Sequence, residues 1–132
     1  MTVLPHLRFS AACCQTDLAN PLDRRQMASN TDRILSLIDS AVAGSAPFLP
    51  VRLVVFPEFA HAAPVFPTVR ELREKLAVRI PNEHTERLAD KAREHDLYIQ
   101  SGSMIEEDPR WPDVLFNTTC LIGPRGILYK YR

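Results

Sequence analysis

The run Val51 to Phe56, VRLVVF, limits what this chain can become more than any other segment. Five of its six residues are apolar, three of them valine, and Pro57 stops it. A strand with no polar face suits a parallel sheet covered on both faces. Ahead of it, Met27, Ile34, Leu35, Ile38 and Val42 recur at helical spacing within Arg24 to Val42. Asp32, Arg33, Ser36 and Asp39 fall mainly between them, so this segment reads as an amphipathic helix. Gly44, Ser45, Pro47 and Pro50 then end it in a loop.

The remaining segments follow the same alternation. Leu7 to Cys14 is short, apolar and rich in small residues, which predicts a buried strand, and Thr16 to Asp23 predicts a loop. Thr68 and Glu71 have capping-box spacing ahead of Val69, Leu72 and Leu76, a short helix on a solvated face. Ile80-Pro81 interrupts, and Asn82 caps a helix over Glu83 to His95 with Leu88, Ala89 and Ala92 inward. Leu97 to Ser103 reads as a strand and the polar, proline-containing stretch Glu106 to Asp113 as a surface loop. Leu115 to Ile122 and Ile127 to Tyr131 are two further strands, joined by GPRG in a type I turn. The order is strand, helix, strand, two helices, strand, hairpin: an α/β layered architecture with helices on at least one face of the sheet. The chain stops at Tyr131-Arg132 inside a strand, which would leave an unpaired sheet edge, so truncation after the hairpin is expected.

Sixteen basic residues balance sixteen acidic ones, which leaves no electrostatic footprint for nucleic acid or an anionic membrane. No stretch approaches the ~20 apolar residues of a membrane span, and Pro5, His6 and Arg8 break what could have been a signal-peptide core. A cytoplasmic protein is expected. Cys13, Cys14 and Cys120 match no zinc spacing and suit a reducing compartment, so all three read as small buried hydrophobes.

Glu58 is the residue best placed for chemistry. It stands just after the apolar strand Val51 to Phe56, read as central to the sheet, and ligands of open α/β sheets bind beyond the carboxyl ends of strands. Position alone leaves two roles open: a structural ion pair, or a working acid/base. His61, three residues on, either lines the mouth of a pocket or is a solvated loop histidine. Asn117 either bonds near the site or serves strand pairing. Trp111 belongs to an exposed loop, where it covers a subunit contact or its own loop. Glu106 and Glu107 are adjacent, so extended backbone turns them to opposite sides and they form no acid/base pair. The charges from Arg70 to Arg79 read as helix surface.

The segment VVFPEFA, Val54 to Ala60, resembles the glutamate motif of the nitrilase superfamily of carbon–nitrogen hydrolases. Four neighbouring segments resemble that family in the same order: CCQTDL (Cys13 to Leu18), NTDRILSLIDSAVAG (Asn30 to Gly44), YIQSGSMIEED (Tyr98 to Asp108) and FNTTCLIGPRGILYKYR (Phe116 to Arg132). The resemblance runs from Phe9 to the end of the chain. It implies a single carbon–nitrogen hydrolase domain of which residues 1–132 are the N-terminal portion. The implied fold is part of a four-layer α-β-β-α sandwich, truncated after the hairpin that leads to the lysine motif.

The same resemblance implies a Glu-Lys-Cys triad that hydrolyses an amide, carbamoyl compound or nitrile. It also implies a small-molecule substrate, no metal or organic cofactor, and frequent homo-oligomers. Only Glu58 carries over as a catalytic residue. The family's lysine follows a Tyr-Arg pair like Tyr131-Arg132 and so falls one position beyond it, while Lys130 points to the opposite strand face. The nucleophilic cysteine lies further along, so Cys13, Cys14 and Cys120 match no catalytic position, and this segment alone is expected to be inactive. An acyltransferase of the same fold, and a non-catalytic α/β binding module, remain as alternative readings.

Overall fold

The structure is a computed structural model that describes residues 7–17 and 19–132. Strand β1 (Ser10–Cys13) leads through a 3-10 turn (Arg24–Gln26) into α1 (Met27–Ser45), then β2 (Val51–Val55). Helices α2 (Val69–Lys75) and α3 (Glu83–His95) follow, and β3 (Tyr98–Glu107), β4 (Leu115–Gly123) and β5 (Gly126–Tyr131) complete the chain. The five strands form one sheet in sequence order, β1-β2-β3-β4-β5. The first three run parallel, and β4 and β5 are antiparallel additions.

Local chemistry explains most boundaries. The Asp23 carboxylate accepts the Arg25 and Gln26 amides and so starts the turn that feeds α1. Thr68 accepts the Glu71 amide at 3.2 Å, while the Glu71 side chain accepts the Thr68 hydroxyl at 2.7 Å. Asn82 takes the His84 and Thr85 amides, and Thr85 returns the bond to the Asn82 amide, a complete reciprocal cap. The C-terminal carbonyls of α2 are taken up by Arg24, whose guanidinium donates to Arg73, Glu74 and Ala77.

Three boundaries differ from expectation. The first strand is shorter than Leu7 to Cys14, because β2 offers no partner ahead of Val51 and the Ser10 amide already bonds the Pro50 carbonyl. The third strand is longer than Leu97 to Ser103: it runs to Glu107, paired with Leu115 to Thr119. The expected surface loop at Glu106 therefore begins after Glu107. Glu106 is buried at 2% exposure, Asp108 is also buried, and Trp111 beyond them is exposed.

One face of the sheet carries the main core. Ile34 and Ile38 of α1 and Leu88 and Ala92 of α3 pack with Val54, Ile99, Cys120 and Ile122. Polar contacts fasten the two helices side by side: Arg87 pairs with Asp32 and Lys91 with Asp39 at 2.9 Å, and His95 Nε2 lies 2.7 Å from Asp39 Oδ1. A second cluster, Met27, Ala62, Leu76, Ala77 and Ile105, sits under the segment that links β2 to α2. The opposite sheet face was expected to be covered around β2. Among the described residues no helix lies on it, and Leu53, Val55, Gln100 and Leu121 floor an open apolar depression of about 560 Å³. No helix among the described residues is long and apolar enough to cross a membrane.

Candidate active site

Beyond β2 the chain reverses sharply, and Glu58 stands at the reversal. The Phe56 amide still bonds the Gln100 carbonyl at 3.1 Å, so the strand's alignment with β3 persists up to Pro57. Phe59 then adopts φ 55°, a left-handed conformation that is uncommon outside glycine. Two residues of β3 hold this turn. The Ser103 hydroxyl accepts the Phe59 amide at 2.9 Å. Gly102, at φ 71°, lies so close beneath the turn that a Cβ there would stand 2.3 Å from the Pro57 carbonyl oxygen. Glycine is thus required both by the backbone angle and by the close approach.

The turn aims the exposed Glu58 carboxylate into an open cavity of about 440 Å³, shared with Phe56, Gly102, Ser103, Asn117, Thr119, Tyr131 and Arg132. Asn117 Nδ2 donates to Glu58 Oε1 across 59 residues of sequence. Among the described residues the Glu58 carboxylate forms no ion pair, which leaves an acceptor oxygen open to the cavity. A carboxylate oriented by an amide, yet free on its other oxygen, has the geometry to take or give a proton.

Of the residues singled out by sequence, Glu58 and Asn117 come together. His61 does not join them. It was expected at the pocket mouth or in solvent, but its side chain is fully buried behind the turn. Thr31 Oγ1 lies 3.2 Å from His61 Nδ1 and 2.8 Å from His84 Nδ1, and His61 Nε2 has no hydrogen-bond partner among the described residues. Burial, followed by the neighbouring His84, pushes the His61 pKa down to about 3, so the ring is neutral at physiological pH. Asn30 donates to the His61 carbonyl at 2.9 Å and ties the same turn to α1. Histidine after a strand-end turn carries no local mark of burial, since its cover comes from helices distant in sequence.

The cysteines also divide. Cys120 is buried and its thiol is pushed up to about 11, chiefly by burial, so it is no thiolate at neutral pH. Cys14 is half-buried, with its pKa raised by burial and by Cys13, whereas Cys13 is exposed and not the buried hydrophobe expected. Among the described residues no cysteine lines the Glu58 cavity. Asp39, Glu94 and His95 bring oxygen and nitrogen atoms within 4.8 Å of one another, but Lys91 already bridges Asp39 and Glu94 there. Sequence reasoning passed over Gly102 and Ser103 as supports of the turn. The available signal was a glycine inside a strand, which marks a close backbone approach.

Comparison with known proteins agrees with this architecture. The carbon–nitrogen hydrolase family model matches residues 10–132. A nitrilase of Pyrococcus abyssi is 42% identical over 82 residues, covering 61% of this chain and 29% of that protein. An omega-amidase of Homo sapiens is 33% identical over 109 residues, covering 80% of this chain and 34% of that protein. The chain thus spans about a third of the length of these relatives. Among solved structures, an N-terminal amidase bound to an Asn-Glu-Ala peptide superposes with TM-score 0.73 at 20% identity, covering 92% of this chain and 27% of that one. Saccharomyces cerevisiae Nit3, a nitrilase-superfamily member, superposes with TM-score 0.67 at 20% identity over 87% of this chain and 41% of that one. A glutamate turn braced by β3, on a mixed sheet shared with nitrilase-fold proteins, and a family match over nearly the whole chain lead to one conclusion: this chain belongs to the carbon–nitrogen hydrolase family.

Proposed function

We propose that the protein carrying this chain is an amidase-type hydrolase of a small molecule, in which Glu58 serves as general base and then general acid. The observation that carries this reading is the relation between Glu58, Asn117 and the end of β5. Thr119 pairs with Tyr131 across β4 and β5. Continuing the antiparallel ladder places the position after Arg132 opposite Asn117, whose side chain touches Glu58. A lysine at that position would face the same cavity as Glu58, while the Lys130 side chain turns to Glu106 and Arg132, whose guanidinium also bonds Glu106, stands at the rim of the cavity.

The chemistry follows from the groups. A cysteine thiol supplied by a later part of the protein would lose its proton to Glu58 and attack the amide carbon. The oxyanion that forms needs a fixed cation, and the lysine supplies it. Protonated Glu58 then returns the proton to the departing nitrogen, and ammonia leaves a thioester. Water attacks the thioester with Glu58 again as base, releasing the acid and regenerating the thiol. The omega-amidase relatives support an amide as substrate.

The test is ammonia release by the full-length protein from a panel of amides of graded chain length and polarity and the matching nitriles. Glu58→Gln should lower kcat by on the order of 10²–10⁴-fold while the fold is kept. Near-normal turnover in that variant would overturn the role given to Glu58. Turnover of nitriles without amides would overturn the amidase reading.

A further inference from the structure

Glu106 is the most heavily engaged buried side chain that the reaction above leaves unused. Its carboxylate accepts Thr118 Oγ1 at 2.6 Å, Lys130 Nζ at 2.6 Å, and Arg132 Nε and Nη2 at 2.9 and 3.0 Å. Arg132 also reaches Asp108 and lies 4.0 Å from the centre of the Phe116 ring. Burial by itself would raise the Glu106 pKa, but the donors from Arg132, Lys130 and Thr118 together outweigh it and hold the carboxyl below its ordinary range. The group is therefore ionised at neutral pH.

A buried cluster of charges is a poor way to add stability, because desolvation offsets much of the attraction. Its value lies in geometry. Glu106 belongs to β3, and the cations it grips belong to β5, two strands away, with β4 between them. Among the described strands β5 is an edge, paired only with β4; the tight turn sets its register at Gly126, but the register shifts between Leu121 and Ile122, and past that point no second neighbour holds the far end of β5. Lys130 and Arg132 are alternate residues, so both project toward Glu106, and Tyr131 and the position after Arg132 project toward Glu58. A slip of one residue would exchange these two sets.

We propose that Glu106 is a positioning residue: by gripping Lys130 and Arg132 from two strands away, it locks the end of β5 so that the residue following Arg132 is presented to Glu58. This rests on the catalytic reading given above. Thr118, on the intervening strand, completes the grip by fixing one oxygen of the carboxylate. Gripping at two alternate residues constrains both register and twist, which one ion pair would not do.

The experiment uses the full-length protein with Glu106→Gln, assayed for ammonia release on its best amide at a temperature where circular dichroism shows both proteins folded. The expected result is a kcat lower by about 10–100-fold with KM changed by less than about threefold, since a misplaced group costs rate more than ground-state binding. Hydrogen exchange at the β5 amides should accelerate in parallel. A folded variant with kcat within about twofold of wild type, or a loss carried wholly by KM, overturns the proposal. Should Glu106→Gln fail to fold, Lys130→Met, which leaves Glu106 paired with Arg132, serves in its place. A kcat lower by about threefold or more then supports the grip, and an unchanged kcat overturns it. Full turnover in Glu58→Gln would instead overturn the catalytic reading itself, so the two failures are distinguishable.

Discussion

Asn117 Nδ2 donates to Glu58 Oε1, joining a residue of the antiparallel hairpin to the turn that ends a parallel strand. The contact fixes which oxygen of the carboxylate faces the cavity. Asn117→Leu keeps the approximate size and removes the donor. In the full-length protein it should lower kcat by about tenfold, the loss typical of a group that orients an acid/base. Both residues are exposed, so unfolding free energy should change by less than about 1 kcal/mol. Steady-state kinetics and denaturant melts on the same preparation check this. A large stability loss with normal kcat would show the contact to be structural.

Gly102 bears the weight of the turn from below. Gly102→Ala places a Cβ 2.3 Å from the Pro57 carbonyl oxygen at a backbone angle of φ 71°. Both effects act together, so the variant should lose about 2 kcal/mol or more in urea unfolding. Because Pro57 adjoins Glu58, turnover in the folded fraction should fall as well. A variant that melts with wild-type stability would contradict the close packing of β3 against the turn.

The buried histidines give the stability of the protein a defined acid limb. His61 is held at about 3, and His84 is lowered mainly by burial. An unfolded histidine titrates near 6.5, so below that pH the unfolded chain binds protons that the folded chain refuses. The stabilisation is full above about pH 6.5 and fades as pH falls toward 3, with a slope of up to ~1.4 kcal/mol per pH unit for each histidine. Native carboxylates such as Glu106 and Asp39 are lowered, so their own contribution is lost only nearer pH 4 and below. Urea melts between pH 7 and pH 4.5 isolate the histidine part. His61→Asn should flatten that slope, and a wild-type stability constant across the window would rule the linkage out.

The pairing of β5 with the rest of the sheet bears on how the site is completed. Tyr129 and Tyr131 stack with ring centres 6.5 Å apart on the uncovered face, beside the apolar depression floored by Leu53, Val55 and Leu121. The four-layer sandwich expected from the sequence resemblance would set a second sheet against this face. The α1 and α3 layer and the five-stranded sheet of this chain are the two layers that it contains.

Local pattern was enough for the elements whose cause is local. The valine-rich run of β2, the cap at Asn82 and the heptad-like apolar spacing of α1 are each written within a few residues, and each appears where the pattern places it. The Pro-Glu that ends β2 marked the candidate site for the same reason, since a strand's end is visible in the chain. Asn117 was singled out as well, although its contact with Glu58 was not. Tertiary structure alone decided the rest. Glu106 and Glu107 look like the start of a polar loop, yet pairing with β4 extends the strand through them and cations from β5 draw Glu106 inside. His61 looks like a loop residue until α1 and α3 close over it. Periodicity reports how a segment alternates, but burial of a charge or an imidazole depends on partners 24 to 30 residues away, and no local pattern carries that distance.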